Sequence, residues 1–232
     1  MKIIPLKRPA GSQPSGYKVV ARGKKEAEVY LYGVIGASMW DDGISADQIR
    51  KDLKGLGGVE TIHLRINSEG GDVFDGKAIY TLFQQHKAKV VAHIDGLAAS
   101  AASYIAMAAD EVEISESAFV MIHNAHTIAM GGAADLRQTA DLLEQVDGTI
   151  RDVYVARTGQ SAEKIEKWMR DETWFTGKEA VEHKFADRMV GNMRVAASVR
   201  DPKAYKHLPV SLRPNVALAD AALARLSARA RP

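Results

Sequence analysis

The fold of this chain is decided by residues 61–72, which read Thr61-Ile62-His63-Leu64-Arg65-Ile66-Asn67-Ser68-Glu69-Gly70-Gly71-Asp72. The first six residues predict a strand by their composition, and the polar, glycine-containing remainder predicts the loop that ends it. A helix is expected from about residue 73 to 86, followed by a strand over residues 89–94. A strand, a helix and a strand in succession imply parallel pairing, and such sheets carry their sites in loops at the C-terminal ends of strands.

The same alternation of elements continues on both sides of this unit and indicates the α/β class. Further strands are predicted over residues 28–35, 111–114 and 119–122, and helices over 45–56, 97–109, 133–158, 161–169 and 176–184. The helix over 133–158 is longer than a typical globular helix and carries an apolar stripe, so it is expected to project from the core. Thr176 and Glu179 form a capping-box pattern.

Composition excludes several classes of protein. The chain has 232 residues, of which 46% are hydrophobic, so a sizeable core can be buried. It has no cysteine, which excludes disulfides, thiolate catalysis and cysteine-ligated zinc. No apolar run approaches the ~20 residues needed to cross a bilayer, and residues 1–16 lack the apolar region of a signal peptide. We therefore expect a soluble, non-secreted, cytoplasmic protein with no membrane attachment.

The distribution of charged, proline and glycine residues divides the chain into three parts. Residues 1–16 are rich in proline, glycine and polar side chains and predict a flexible arm. Residues 17–190 are expected to form the folded domain. Residues 191–232 form a basic, Ala/Arg-rich extension with eight Lys or Arg and two Asp, and the alanine-rich part over 215–231 suits a helix whose packing is optional. The rest of the chain is mildly acidic, and nothing in it indicates specific binding of nucleic acid.

A serine among small residues is the first candidate for chemistry. The run is Gly96-Leu97-Ala98-Ala99-Ser100-Ala101-Ala102-Ser103, and Met121-Ile122-His123 follows. A nucleophilic serine needs an unobstructed approach and a base within hydrogen-bond reach, which His123 could supply. Ser103 is the competing nucleophile, one helical turn on, and His126 is the nearest competing base. Taken singly, each of these residues is more often structural than catalytic.

Two other segments are candidates for supporting roles. Gly70 and Gly71 follow a strand and suit a phosphate cradle, an oxyanion hole or an ordinary turn. The Gly-Lys-Ser/Thr of a P-loop is missing after them. The stretch Arg170-Asp171-Glu172-Thr173-Trp174-Phe175 supplies carboxylates that could orient a histidine, although a charged helix end is usually only solvated.

The order of these motifs resembles one family. Ile66-Asn67-Ser68-Glu69-Gly70-Gly71, Gly96-Leu97-Ala98-Ala99-Ser100, Met121-Ile122-His123-Asn124, Gly132-Ala133-Ala134-Asp135, Thr158-Gly159-Gln160-Ser161 and Glu179-Ala180-Val181-Glu182 are similar to the proteolytic subunit of the Clp protease (ClpP). The resemblance covers roughly residues 28–190. It implies the ClpP/crotonase-type fold, with repeated ββα units, a mainly parallel sheet and a projecting helix, the handle, that matches residues 133–158.

The resemblance also implies an activity and its residues. It implies a serine endopeptidase that hydrolyses peptide bonds through an acyl-enzyme, with Ser100 as nucleophile, His123 as general base and the N–H groups of Gly71 and Ala101 as the oxyanion hole. Glu172 matches the family's acid, and Asp171 is the second choice. No metal or organic cofactor is expected, the substrates are proteins or peptides, and the protein should form a homo-oligomeric ring.

Departures from the family pattern point to a divergent branch. Glu69 replaces the proline of the glycine-rich turn, and Ala101-Ala102 replaces the usual Met-Gly after the nucleophile. The phrase Glu172-Thr173-Trp174-Phe175-Thr176 and the basic extension resemble the Clp-like head maturation (prohead) protease of tailed bacteriophages. That branch implies capsid and scaffold proteins as substrates. A housekeeping-type subunit fed by an ATPase partner is the alternative.

Other classes remain open on the same scaffold. A crotonase-like acyl-CoA enzyme would use the Gly-Gly N–H groups for a thioester enolate, and an inactive structural ring subunit would use no catalytic group. The signal peptide peptidase family requires a lysine base. The pairing of Ser100 with His123 and the full-length handle favour a Clp-type protease.

Overall fold

A computed structural model describes residues 16–36, 43–191, 199 and 201–213 of the chain. Its strands are β1 (Gly16–Arg22), β2 (Glu26–Ile35), β3 (Thr61–Gly71), β4 (Lys89–Ala99), β5 (Glu111–Ser115), β6 (Phe119–Ile122), β7 (Thr173–Thr176) and β8 (Arg188–Val190). Its helices are α1 (Ala46–Gly55), α2 (Val73–Gln84), α3 (Ala101–Ala106), α4 (Ala133–Thr158), α5 (Ala162–Arg170) and α6 (Gly177–Glu182), with single 3-10 turns at Pro202–Ala204 and Val210–Leu212. Residues 1–15 of the predicted arm and the predicted 215–231 helix lie outside the described residues, and Gly16 is the first residue of β1.

The sheet is mainly parallel, as the alternation of elements predicts. Strands follow the order β1-β2-β3-β4-β5-β8, and every pair from β2 to β8 is parallel. In the described part of the chain, two pairs are antiparallel: β1 with β2, and β7 with β6. The α/β class and the ClpP/crotonase-type architecture are confirmed.

Strand β4 forks, and the fork creates the edge on which the candidate site lies. Residues 91–94 of β4 pair with β5, whereas residues 97–99 pair with β6. On the other side of β4, Ser68 of β3 lies opposite Ala98. Because β3, β4 and β6 run parallel, the segments that follow their carboxyl ends lie together at one edge of the sheet.

The predicted helix over residues 97–109 is wrong at its start and end. Residues 97–99 are strand, and α3 covers only Ala101–Ala106. Residues 97–99 are buried and lie between β3 and β6, so their backbone groups pair in the sheet. Alanine has a high helix propensity, but ladder pairing on both sides outweighs it.

Strands β1, β7 and β8 were not predicted from the sequence. All three lie at a margin of the sheet and pair with one neighbour each. Such strands lack the continuous apolar run that marks a strand buried on both faces.

Helix caps follow the sequence signals closely. Ser45 caps α1 by accepting from the N–H of Gln48, and Thr176 and Glu179 form the predicted capping box of α6. Helix α4 has the predicted bounds and ends at Gly159, whose φ of 67° suits a left-handed C-cap.

Only the C-terminal half of α4 is anchored in the core. Its buried residues are Val146, Ile150, Tyr154 and Thr158, whereas residues 131–138 are exposed. The hydroxyls of Tyr154 and Ser103 lie 2.8 Å apart, which joins the handle to α3. The prediction that the long helix projects from the core is therefore confirmed.

Two hydrophobic clusters hold the molecule together. The larger one lies between the sheet and helices α1 to α6. The smaller one joins Leu97, Ala99 and Met121 of β4 and β6 to three residues of the C-terminal extension, which are Val199, Leu208 and Leu212. At least this part of the extension is packed on the sheet beside the candidate site.

Candidate active site

Ser100 lies in the turn between β4 and α3. Its φ and ψ are 53° and −126°, values that non-glycine residues rarely adopt. Its N–H donates to the carbonyl of Met121 at 2.9 Å, so β6 holds the turn in place. A strained residue between a strand and a helix presents its side chain at the edge of an α/β sheet, as in nucleophile elbows.

His123 follows β6 and faces Ser100. Its Nε2 lies 2.8 Å from Ser100 Oγ. The next two residues are tied down, since the Asn124 N–H donates to the carbonyl of Met169 at 3.1 Å and the Ala125 N–H donates to Asp147 Oδ1 at 2.7 Å. The structure thus brings together the serine and the histidine that the sequence nominated.

The environment of His123 keeps its imidazole neutral. The pKa of His123 is lowered from 6.5 to about 4, chiefly by burial and then by positive charge on His126 and Lys206, against the opposing effect of the Glu172 carboxylate. A neutral imidazole at pH 7 can accept a proton from the serine hydroxyl.

The two competing residues occupy other positions. Ser103 is fully buried, and its hydroxyl contacts the carbonyls of Ser100 and Met121 and the Tyr154 hydroxyl. It therefore joins α3, β6 and α4. His126 is exposed and lies edge-on to the ring of His123, at a centroid distance of 5.2 Å.

The predicted loop after residue 66 is wrong in its extent, because β3 continues to Gly71, and Gly70 and Gly71 pair with Val34 and Ile35 of β2. We keep the name glycine-rich loop for residues 69–72, which lie directly against the Ser100 turn. A Cβ built on Gly70 would fall 2.8 Å from Ser100 Cβ and 2.9 Å from the Ala101 nitrogen. Gly71 has a φ of 146°, and a Cβ there would fall 2.1 Å from the carbonyl oxygen of Ile35. Side chains are excluded at both positions, so the glycine-rich loop and the first turn of α3 can approach closely.

The two candidate acids are in different environments. Asp171 is exposed and forms an ion pair with Lys167. Glu172 is 6% exposed, and its φ is 49°. Burial raises the pKa of Glu172, but hydrogen bonds from His207 and Lys206, with that from Trp174, outweigh burial and hold it below the ordinary value. Of the two candidates, Glu172 is the buried carboxylate, and its charge opposes the lowering of the His123 pKa.

The Glu172 carboxylate accepts three hydrogen bonds, two of which come from the C-terminal extension. Its Oε1 accepts from the N–H of His207 at 2.8 Å and from Trp174 Nε1 at 3.2 Å, and its Oε2 accepts from the N–H of Lys206 at 3.0 Å. Its influence on His123 is electrostatic, since no hydrogen bond joins these two described side chains. We call residues 201–208, which supply the two backbone donors, the C-terminal strap.

A cleft of about 630 Å³ contains Ser100 and His123. Its lining includes the glycine-rich loop, apolar residues of α4 such as Leu142 and Val146, and Asp201, Ala204 and Tyr205 of the strap. A cleft of this size at the carboxyl edge of a parallel sheet can take an extended peptide segment.

The strap and its contacts with Glu172 and the cleft were not predicted from the sequence. From the sequence we noted the basic charge of the extension and made no prediction of how residues 201–208 pack. The signal that could have found it is the pattern Asp201-Pro202, Tyr205, Leu208 and Leu212, which combines a capped turn with apolar residues at regular intervals.

Comparison with known proteins agrees with this geometry. The sequence model of the Clp protease family matches residues 13–193. The chain belongs to the Clp protease family. It is 28% identical over 184 residues to the "ATP-dependent Clp protease proteolytic subunit 1" of Leifsonia xyli subsp. xyli (strain CTCB07), an alignment that covers 77% of this chain and 89% of that protein.

Membership of the Clp protease family makes this chain a peptidase by descent and confirms the resemblance drawn from its motifs. The matched region ends at residue 193, so the strap and its contacts with Glu172 lie beyond it. In the parts of the chain that the structure describes, none of the helices has both the length and the hydropathy required to cross a bilayer.

Proposed function

We propose that this member of the Clp protease family is a serine endopeptidase with Ser100 as nucleophile, His123 as general base and Glu172 as the acid of the triad. The observation that carries the proposal is the 2.8 Å contact between Ser100 Oγ and His123 Nε2 inside the cleft. A neutral imidazole at that distance can take the hydroxyl proton as the serine attacks.

The reaction then proceeds through an acyl-enzyme. Ser100 Oγ attacks the peptide carbonyl carbon, its proton passes to His123 Nε2, and the carbonyl oxygen becomes an oxyanion. His123 returns the proton to the leaving amine as the C–N bond breaks. A water molecule then attacks the ester carbonyl carbon and gives a proton to His123. His123 passes this proton to Ser100 Oγ as the ester C–O bond breaks, and the carboxylic acid product leaves. The Glu172 carboxylate stabilises the imidazolium that forms in each half-reaction.

We assign the oxyanion hole to the N–H groups of Gly71 and Ala101. Ala101 begins α3, and the first N–H groups of a helix have no partner within it. The glycine-rich loop lies against the same turn. Each such donor is worth about 10²–10³ in kcat.

A fluorophosphonate probe tests the serine mechanism directly, because only an activated serine reacts with it. We expect wild type and Ser103→Ala to be labelled and Ser100→Ala to be unlabelled. Labelling that disappears in Ser103→Ala but persists in Ser100→Ala would show that Ser103, and not Ser100, is the nucleophile. A crotonase-like acyl-CoA enzyme or an inactive ring subunit predicts no labelling of an assembled wild-type sample.

We propose capsid and scaffold proteins as the substrates, on the strength of the Glu172–Thr176 phrase and the basic extension. Co-expression in the bacterial cytoplasm with neighbouring capsid and scaffold genes tests this, with Ser100→Ala as the inactive control. Cleavage confined to capsid-assembly proteins supports the role. The name of the Leifsonia relative supports the alternative, a subunit fed by an ATPase partner. Degradation of unrelated folded proteins only with an ATPase and ATP would favour that alternative.

We also propose a homo-oligomeric ring in which the handles of neighbouring subunits pack together. Leu136 and Leu142 of α4 are 45% and 49% exposed, and the half of the helix that carries Leu136 leaves the core. An apolar stripe on a projecting helix is stabilised when a second copy covers it.

A further inference from the structure

We propose that the C-terminal strap is part of the active site, in which it positions the Glu172 carboxylate and forms a wall of the substrate cleft. The inference rests on the proposed function, because it concerns the triad acid and the peptide cleft of that mechanism. The strap lies beyond the region that matches the family.

The strap is docked by apolar contacts behind the catalytic residues. Leu208 is 5% exposed and packs in the cluster that contains Ala99 and Met121, which precede Ser100 and His123 in their strands. Leu212 follows the strap and is 4% exposed in the same cluster. Burial of one leucine side chain stabilises a folded state by about 1.5–3 kcal/mol, so the burial of Leu208 and Leu212 together stabilises the docked strap.

Docking delivers two donors to a buried carboxylate. The N–H groups of Lys206 and His207 donate to Glu172 at 3.0 Å and 2.8 Å, one to each oxygen. A buried carboxylate stays ionised only when donors or positive charges compensate for lost water. Without the strap, the hydrogen bond from Trp174 is the one side-chain contact left to orient Glu172 among the described residues.

Tyr205 connects the acid to the glycine-rich loop. Its ring packs edge-on against Trp174 at a centroid distance of 5.3 Å, and its hydroxyl donates to the carbonyl of Glu69 at 3.4 Å. Tyr205 also lines the cleft that contains Ser100. It is therefore placed to contact a bound peptide, in addition to bracing the loop that precedes Gly70.

A matched pair of variants separates docking from added charge. Leu208→Asp places a carboxylate in the apolar cluster and should release the strap, whereas Val210→Asp adds the same charge at a side chain outside the strap that is 77% exposed. We expect Leu208→Asp to lose about 10- to 100-fold in kcat on a peptide substrate, a part of the ~10⁴-fold loss that follows removal of a triad acid. We expect Val210→Asp to match wild type.

A second readout does not depend on activity. The pKa of His123 can be followed by NMR in protein labelled with ¹³C-histidine, with His123→Gln to assign the signal. Burial and the positive charge of Lys206 both lower the pKa of His123 while the strap is docked. Release of the strap should reduce both effects, so the pKa should rise in Leu208→Asp. The other charged groups facing His123 are His126 and Glu172, and both remain.

The outcomes distinguish the two proposals. An unlabelled, inactive wild type would overturn the serine mechanism, while the titration of His123 would still decide whether the strap is docked at the site. Equal kcat and equal His123 pKa in Leu208→Asp and Val210→Asp would overturn the strap proposal. A higher kcat in Leu208→Asp would also overturn it, because the strap would then be an inhibitory cover.

Tyr205→Ala provides a second test of the strap if far-ultraviolet circular dichroism shows that Leu208→Asp does not fold. Loss of the ring should raise KM for peptides several-fold more than it lowers kcat, because the wall is lost while Leu208 stays docked. Tyr205→Phe retains the ring and should restore KM. Unchanged KM in Tyr205→Ala would remove the cleft-wall role.

Discussion

Ser100 and Glu172 share an unusual backbone conformation. Of the three described non-glycine residues with positive φ, two are these proposed members of the triad, and Lys184 is the third. Such conformations cost on the order of 1–3 kcal/mol each and persist only where the surroundings hold them. The Met121 carbonyl holds the turn at Ser100, and the strap holds the side chain of Glu172.

The identity of the acid is a prediction at this scale. Glu172→Gln should lower kcat by a factor on the order of 10³–10⁴, because the imidazolium loses its compensating charge. Asp171→Asn should stay within about twofold of wild type, since Asp171 is an exposed partner of Lys167. Steady-state peptidase kinetics on both variants decide the matter, and the assignment is wrong if Asp171→Asn suffers the greater loss.

The pH dependence of activity follows from His123. The pKa of its imidazole is lowered to about 4, so the base is available above that pH and protonated below it. The acid limb of kcat/KM should therefore lie near pH 4, well below the ordinary histidine value of 6.5. A pH–rate profile measures it, with circular dichroism to confirm that the protein stays folded.

His126→Asn is the control for this assignment. Positive charge on His126 lowers the pKa of His123, so its removal should move the acid limb to higher pH. An acid limb near 6.5 in wild type, or a limb that moves to lower pH in His126→Asn, would contradict the account of His123.

Among the elements, α4 has two roles that its length makes compatible. Its C-terminal half is anchored through Val146, Ile150 and Tyr154, and its N-terminal half leaves the core. Leu142 and Leu143, near the middle of the helix, line the cleft. The handle thus forms a wall of the site as well as a projecting surface.

The anchoring of α4 can be tested through Tyr154. Tyr154→Phe removes the hydroxyl that pairs with Ser103 in the core and should lower the free energy of unfolding by about 1–2 kcal/mol. Tyr80→Phe is the control, because its hydroxyl pairs with Gln84 at the surface, and it should change stability by less than about 0.5 kcal/mol. Urea unfolding at one protein concentration measures both, and equal effects would contradict the anchoring role.

At the scale of the whole molecule, the exposed apolar stripe of α4 bears on assembly. Leu136→Glu should shift the oligomer towards monomer, because a charge is placed on the surface that we expect a neighbouring subunit to cover. Gln138→Glu adds the same charge at an exposed neighbouring position of the helix and should leave the oligomer intact. Light scattering at working concentration measures the mass, and a monomeric wild type would contradict the ring.

Local chemistry in the sequence was enough to predict the parallel α/β sheet, the helix caps and the full length of the handle. Periodicity, capping residues such as Ser45 and Thr176, and the order of short motifs are all local properties of the chain. The same motifs nominated Ser100 and His123, which the structure places 2.8 Å apart. Their catalytic roles stay a prediction until the variants above are measured.

Only the tertiary structure decided where β4 ends and what surrounds Glu172. Residues 97–99 have the composition of a helix, but pairing with β3 and β6 makes them a strand. The two backbone donors to Glu172 come from residues more than thirty positions away, Lys206 and His207, through N–H groups that every non-proline residue possesses. The apolar pattern at Tyr205, Leu208 and Leu212 could indicate that the strap packs, but it does not show which carboxylate the backbone N–H groups reach, since that depends on where Leu208 docks.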